Sequence, residues 1–337
     1  MPPTNTQVLF RRQPQGLPTE DDFEIVETPM PEPGPGQFVA KSLYLSLDPY
    51  MRMLMGGGWK FLGTGMTQGQ VMVGRILGEV IESGHPDLKP GDHIVGRLGW
   101  QEYAVSNGAD LDFKVEPKEG MPLTAYMGVC GSNGTTAWAG LKMIGKPKEG
   151  ETVLVSAAAG SVGSAVGQIA KAMGCRAVGI AGGTEKCRLV TEEFNFDACL
   201  DYKGGDLGRQ IKDAAPDGID VYFDNVGGEM LDTVLALMNA KGRIPVCGVL
   251  SQYNAEDDYY GVTNTRLIFD KQLRLQGFLN SEFRDQWDRA RAELEDLVAS
   301  GKLKYRETVA QGLKSAPQAF IGMLRGENLG KQLVKLT

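Results

Sequence analysis

A doubly wound parallel α/β sheet, joined to a β-rich domain that precedes it in the chain, is the architecture this sequence predicts. Three observations lead there. The apolar run Val153, Leu154, Val155 enters a turn of small residues, AAAGSVG over 157–163, and then a stretch with helical spacing. From about Glu151 onward strand and helix patterns alternate through six strands, the count of a complete doubly wound sheet. The first 125 or so residues read differently, with short strands, many Gly and Pro, and turn signals at Pro33-Gly34-Pro35-Gly36 and Pro90-Gly91-Asp92.

The first strand of the alternating part, 153–157, is an unbroken apolar run of the kind covered on both faces. Ala157, Gly160 and Gly163 follow at the spacing A-x-x-G-x-x-G, a variant of the dinucleotide fingerprint G-x-G-x-x-G with alanine for the first glycine. Small residues let backbone approach a pyrophosphate, and a helix N-terminus offers it N–H groups. Ser161 is placed to cap the helix over 161–173, where Val162, Ala165, Val166, Ile169, Ala170 and Met173 share one face. The pattern places further strands at 176–180, 198–201, 219–224, 242–247 and 273–279, and helices at 185–194, 206–214 and 228–239. A longer amphipathic helix over 283–300 and the segment after it carry the chain back to the first domain, where a helix at 316–324 and a strand at 332–336 end it. The domain limits that follow are 1–129 with 305–337, and 130–304. Within the first domain VMVGRILGEVI over 71–81 alternates irregularly around glycines, as bulged β structure does, in a distorted barrel or sandwich. MGGGWKFLGTGMTQGQ over 55–70 reads as a long mobile loop.

The second strand selects the nucleotide. An NAD-binding chain places Asp or Glu at its tip, about 20 residues beyond the glycine turn, on the ribose 2′-hydroxyl. Here the tip reads Ala181-Gly182-Gly183-Thr184, with Lys186 opening the next helix. A 2′-phosphate would be repelled by a carboxylate and favoured by a lysine and a hydroxyl, so the reading is NADP. Glu185 serves the helix dipole.

Composition narrows the function classes. The net charge of −7 and pI near 5.1 argue against nucleic acid or anionic membrane as the main partner. No apolar run reaches the ~18 residues of a membrane span, and the first residues lack the apolar core of a signal peptide. The cysteines at 130, 175, 187, 199 and 247 are scattered and odd in number, which fits a reducing cytoplasm rather than a disulfide framework. The two histidines, His85 and His93, have no partner at ligand spacing, so no metal site is expected. There is no Tyr-x-x-x-Lys pair, no G-x-S-x-G elbow and no Walker A loop. What remains is hydride delivery to an acceptor already electrophilic, a conjugated C=C or a quinone, with a donor near the oxygen where enolate charge develops.

The segments SLDPYMR (46–52), AAAGSVGSAVGQIAK (157–171), PDGIDVYFDNVGG (216–228), CGVLSQYN (247–254) and GENLGKQLVK (326–335) resemble the zinc-free medium-chain dehydrogenases/reductases, in particular the group of prostaglandin/leukotriene reductases, plant alkenal double-bond reductases and bacterial curcumin reductase. The resemblance covers essentially the whole chain. It implies a Rossmann domain with a GroES-like catalytic domain, NADPH between them, a homodimer, and reduction of the C=C bond of α,β-unsaturated aldehydes or ketones. Carried over position by position, Gly160, Ser161, Val162 and Gly163 would hold the pyrophosphate. Thr184, Lys186 and Tyr202 would meet the 2′-phosphate end, and Asn225 the cofactor. Cys247, Gly248, Val249, Leu250, Ser251, Gln252 and Tyr253 would line the nicotinamide side, with Phe278, Leu279, Asn280 and Asn328 closing over it. Tyr253 would be the catalytic donor and Tyr50 a second catalytic tyrosine near the nicotinamide. Plainer roles stand beside these: Asn225 as a helix cap, Tyr202 as a strand-end residue, Cys247 as core, Tyr253 as a substrate wall and Tyr50 as packing after Pro49. A quinone reductase, or an NADPH-binding sensor or structural protein without turnover, would use the same fold. The chain departs from many relatives at 131–137, GSNGTTA, and in a shortened loop at 55–70, so no one relative's substrate transfers.

Overall fold

The computed structural model describes residues 4–58, 65–255 and 259–336. The chain divides into two compact units, Met1–Met127 with Glu307–Thr337, and Gly128–Arg306.

In the first unit β1 (Thr4–Phe10) and β2 (Phe23–Pro29) form an antiparallel pair. The larger sheet uses β3 (Phe38–Ser46), β4 (Arg75–Ser83), β5 (His93–Gly96), β6 (Tyr103–Ser106) and β7 (Leu111–Val115), with β14 (Glu307–Gln311) and β15 (Lys331–Lys335) from the end of the chain. Its order is β14-β15-β3-β4-β5-β7, with β6 also on β3. The irregular alternation around Gly78 has its counterpart in two register slips between β3 and β4, at Val39/Ala40 and Ser42/Tyr44. A Cβ on Gly78 would stand 2.9 Å from Ile76 Cδ1 and 3.1 Å from the Lys41 carbonyl, so the strands close only around glycine. The core stacks Phe23 on Trp100 at 5.7 Å, with Phe320 of α9 (Ala316–Leu324) edge-on to both. Of the loop expected over 55–70, residues 59–64 lie outside the described residues. Met55 is instead the buried last residue of α1 (Tyr50–Met55), and Gly69 and Gln70 bond to Phe10 of β1.

The second unit is the doubly wound sheet. Six strands, β8 (Thr152–Val155), β9 (Arg176–Ala181), β10 (Ala198–Asp201), β11 (Ile219–Phe223), β12 (Met238–Val246) and β13 (Arg274–Gly277), run parallel in the order β10-β9-β8-β11-β12-β13. Strand order reverses beside β8, which puts the ligand crevice outside the carboxyl ends of β8 and its neighbours. The unit's helices are α2 (Ser132–Ala139), α3 (Ser161–Ala172), α4 (Thr184–Arg188), α5 (Leu207–Ala214), α6 (Gly228–Leu237), α7 (Arg266–Asp270) and α8 (Trp287–Ala299). β8 is buried at every residue, as its sequence requires. Gly167 of α3 lets that helix lie directly on Phe196: a Cβ there would be 1.9 Å from the ring.

Two local expectations change. Ser161 is not the cap of α3. Gly160 takes that position, no side chain caps the helix, and Ser161 is its first residue. The helix expected over 185–194 is α4 followed by a wider turn at Leu189–Glu193, closed by the Phe194 amide on the Leu189 carbonyl. β13 is an exposed edge strand.

Candidate active site

The carboxyl ends of β8, β11 and β12 are knitted into one floor. Ser156, the residue after β8, meets Asp224 and Asn225, the residues after β11. Ser156 Oγ donates to Asp224 Oδ1 at 3.2 Å and accepts the Asn225 amide at 2.8 Å, while Asn225 Nδ2 donates to the Ser156 carbonyl at 2.7 Å. Asp224 Oδ1 also accepts from Tyr222 Oη and from the amides of Val226 and Gly227, each at 2.9 Å. Burial pushes this carboxyl upward and those donors hold it back. Its other oxygen, Oδ2, is buried without a partner among the described residues. The 247–253 segment then latches on. The Cys247 amide donates to the Asp224 carbonyl at 2.8 Å, Leu250 to Asn225 and Ser251 to Val226, both at 3.1 Å, and Ser251 Oγ also reaches the Val226 carbonyl at 2.7 Å. Gly227 and Gly228 have positive φ, and a Cβ on Gly228 would meet Ser251 Oγ at 2.8 Å. Glycine is what lets the loop close.

Above that floor sits the glycine turn. Ala157, in place of the fingerprint's first glycine, has φ +50 and so adopts the glycine-like conformation at a cost in strain. A Cβ on Gly163 would stand 2.3 Å from the Ala157 carbonyl, and one on Gly160 3.2 Å from it. With Gly160 as an uncapping residue, the amides at the start of α3, a 12-residue helix, carry no side-chain cap. The turn therefore presents bare backbone and the positive end of a helix dipole at the sheet's switch point.

At the tip of β9, Gly183 has φ +98 and its amide donates to Asp201 Oδ1 at 2.8 Å. The Tyr202 ring covers Gly182, where a Cβ would be 2.8 Å from its edge. The ammonium of Lys203 lies 5.9 Å from the centre of the same ring. Lys186, in α4, has its ammonium weakened first by burial and then by Lys203, with Glu185 acting the other way.

Tyr253 folds back over its own loop. Its hydroxyl would be 3.2 Å from a Cβ on Gly248, and the phenol is pushed up to about 12, by burial first and then by Cys247, with the Val249 backbone opposing. Burial and Asp224 push the Cys247 thiol to about 12. Both groups keep their protons at neutral pH. Phe278 packs edge-on against Phe223 and Phe283, at 6.3 and 6.2 Å, so its ring is core. Leu279 precedes the turn that begins at Asn280. The Asn280 amide donates to Thr135 Oγ1 at 3.0 Å and Trp287 Nε1 donates to the Asn280 carbonyl at 3.1 Å, which ties this segment to α2 and α8.

Tyr50 and Asn328 belong to the first unit. Tyr50 opens α1 after Pro49. Burial raises its phenol, Arg75 acts against that, and Asp48 and Asp112 act with it. The strand end before it is pinned by Lys331, which donates to Asp48 Oδ1 at 2.6 Å and to the Leu47 carbonyl at 2.8 Å. Arg75, paired in register with Ser46, donates to Asp112 at 2.6 Å. Asn328 Nδ2 donates to the Gly330 carbonyl at 2.8 Å. The resemblance singles out Asn225 but passes over Ser156, Asp224, Lys203 and Arg75. Ser156 and Asp224 carry a readable signal, a polar residue directly at the end of an apolar strand.

Residues 6–113 match the family described as N-terminal domain of oxidoreductase, and 161–296 the family described as zinc-binding dehydrogenase. The NADPH-dependent curcumin reductase of Escherichia coli is 43% identical, over 98% of this chain and 97% of that protein. The chain belongs to the medium-chain dehydrogenase/reductase family. The NADP(+)-dependent 2-alkenal reductase of Nicotiana tabacum is 42% identical over 99% of this chain and 98% of its own length. The crystal structure of CurA from Vibrio vulnificus in complex with NADPH superposes with a TM-score of 0.92 at 39% identity, covering 98% of this chain and 99% of that one. As a member of this family the chain is an oxidoreductase. Although the second family description names zinc, no three His, Cys, Asp or Glu side chains converge among the described residues.

Proposed function

We propose that this chain reduces the carbon–carbon double bond of α,β-unsaturated aldehydes and ketones with NADPH. The observation that carries the reading is Tyr253, whose loop closes on Asp224, Asn225 and Val226 beyond the carboxyl ends of β11 and β12 and whose hydroxyl turns back over Gly248. The relatives named for curcumin and 2-alkenal reduction support it.

The residues present fit the cofactor. Gly163 lets α3 close onto the turn, where a Cβ would stand 2.3 Å from the Ala157 carbonyl, and the uncapped amides of Ser161, Val162 and Gly163 suit a pyrophosphate. Lys186 and Tyr202, with Thr184, suit a 2′-phosphate. Asn225 and the loop of Cys247, Gly248, Val249, Leu250, Ser251, Gln252 and Tyr253 stand at the ends of the next two strands. In our reading Phe278, Leu279 and Asn280 contribute backbone. The Gly128–Arg306 unit is then the cofactor domain, and the other carries the acceptor. When bound, NADPH would supply a hydride to the acceptor's β-carbon, and the resulting enolate takes a proton from solvent at its α-carbon. Tyr253 holds its proton at Oη and donates a hydrogen bond to the oxygen where negative charge builds, which stabilises the transition state more than the ground state.

The test follows NADPH consumption spectrophotometrically with an alkenal, with a quinone and with neither. Turnover confined to the quinone would replace this reading with a quinone reductase, and no turnover with either would leave a nucleotide-binding protein. We also propose a homodimer built through β13, whose four residues are all exposed at the sheet edge, with Phe269 beside it 84% exposed. No described helix is long and apolar enough to cross a membrane, and Cys175, Cys187, Cys199 and Cys247 carry free thiols. Those thiols support a cytoplasmic location.

A further inference from the structure

We propose that Lys203 is a second cation at the 2′-phosphate end of the nucleotide site, and that with Lys186 it sets the preference for a nucleotide bearing that phosphate. The inference rests on the NADPH reading above and adds a residue to it.

One carboxylate oxygen brings the two lysine-bearing segments together. Asp201 Oδ1 accepts the amide of Gly183, in the loop that leads to Lys186, at 2.8 Å, and the amide of Lys203 itself at 3.0 Å. The two segments are therefore two hydrogen bonds apart through a single atom. That engagement also occupies Asp201, the carboxylate that follows β10, with backbone donors. Tyr202, next to Lys203 in the chain, lays its ring over Gly182, where a Cβ would be 2.8 Å from Cε1 and 3.0 Å from Oη. The Lys203 ammonium lies 5.9 Å from the centre of that ring.

The two ammonium groups feel each other. Burial weakens the Lys186 ammonium, Lys203 weakens it further and Glu185 opposes both. Lys203 and Glu185 are thus charges that Lys186 feels. Two like charges held together by the fold are relieved by an anion placed between them, and a phosphate monoester near neutral pH carries close to two negative charges. A ribose 2′-hydroxyl carries none and relieves nothing. Lys203 therefore discriminates between the two dinucleotides and not merely between bound and free.

The experiment titrates the full-length protein with NADPH and with NADH by nucleotide fluorescence, and displaces NADPH with 2′-AMP. The proteins are the parent, Lys203→Ala, Lys203→Arg and Lys186→Ala. Lys203→Ala is expected to weaken NADPH and 2′-AMP by about three- to tenfold, to leave NADH within about twofold, and to flatten the salt dependence of NADPH binding. Lys203→Arg is expected to restore most of the loss. The Lys203 side chain is exposed, so folding is not at issue in these variants. If Lys203→Ala leaves NADPH binding unchanged, or weakens both dinucleotides equally, Lys203 has no such role. If Lys186→Ala behaves in that way as well, the NADPH reading of this loop falls with it. If Lys186→Ala alone shifts the preference, that reading stands without Lys203.

Discussion

Gly163→Ala tests the nucleotide turn most directly. The added Cβ would stand 2.3 Å from the Ala157 carbonyl oxygen, 2.9 Å from its carbon and 3.0 Å from Ala158 Cα. All three are backbone atoms, so no rotamer change relieves them. Ordinary contact begins near 3.4 Å, so the start of α3 must withdraw from the turn by about 1 Å. Forced overpacking of this kind costs about 1–3 kcal/mol. Alanine's better helix propensity returns at most about 1 kcal/mol. The expected net loss is roughly 1–2 kcal/mol, or roughly 2–8 °C in the unfolding midpoint for a unit of this size. The same withdrawal carries the amides of Ser161, Val162 and Gly163 away from a bound pyrophosphate, so NADPH affinity should fall about tenfold or more. Gly160→Ala is the control. Its Cβ would be 3.2 Å from the Ala157 carbonyl, and its φ of −82 suits alanine, so it should cost less than about 1 kcal/mol. Calorimetry and fluorescence titration of both variants decide the matter. A Gly163→Ala protein as stable as its parent, with unchanged NADPH affinity, would refute the close approach of α3 to the turn.

Tyr253→Phe should lower kcat and kcat/KM together on an enone, by less than the ~10²–10³ of a sole oxyanion donor, because a hydroxyl of the bound cofactor's ribose would serve as a second donor; a rise in KM alone would make Tyr253 a binding residue. With its phenol at about 12, the parent kcat should show no alkaline limb from this group in the neutral range, and a limb near the free phenol's range would count against the assignment. Glu307 has its carboxyl raised by burial, against Thr124 and Lys331, and its Oε1 is buried without a partner among the described residues. A raised carboxyl makes the fold lose stability as pH rises through the unfolded and then the folded value. Glu307→Gln should therefore raise the unfolding midpoint at neutral pH, with the gain shrinking in acid, and a gain independent of pH would sink this account. Elemental analysis should find no stoichiometric zinc and chelator should leave activity intact, because no ligand cluster exists among the described residues. Leu275→Glu with Phe269→Glu should convert a dimer to monomer in sedimentation, and an unchanged mass would take the interface away from β13.

The alternation of the second unit is legible because buried parallel strands and amphipathic helices each leave a strong period in the chain. Val153 to Val155 and the face from Val162 to Ala170 are examples. The glycine turn is legible for steric reasons that the positions of Gly160 and Gly163 express directly. What escapes is whatever depends on distant partners. The segment Phe278 to Asn280 looks like a strand end facing a ligand, yet Phe278 is held by Phe223 and Asn280 by Thr135, which no local pattern reveals. Leu273 is core while Leu275, two residues on, is exposed, because burial here depends on what lies beyond the sheet edge. Arg75 and Asp112 pair across strands that only the folded sheet brings together. Ser161 has the right chemistry for a cap, but Gly160 takes the position.

The floor beneath the nucleotide site has a dynamic consequence. Ser156, Asp224 and Asn225 are each bonded to at least one of the others, and the amides of Val226, Gly227, Cys247, Leu250 and Ser251 all close on that trio or on Val226. None of these bonds can open without loosening its neighbours. The ends of three strands should therefore exchange their amide hydrogens as one slow group, opening together or not at all. A single change at Asp224 would turn that shared protection into separate, faster openings, and a surface made to receive a flat cofactor would lose its flatness before it lost its fold.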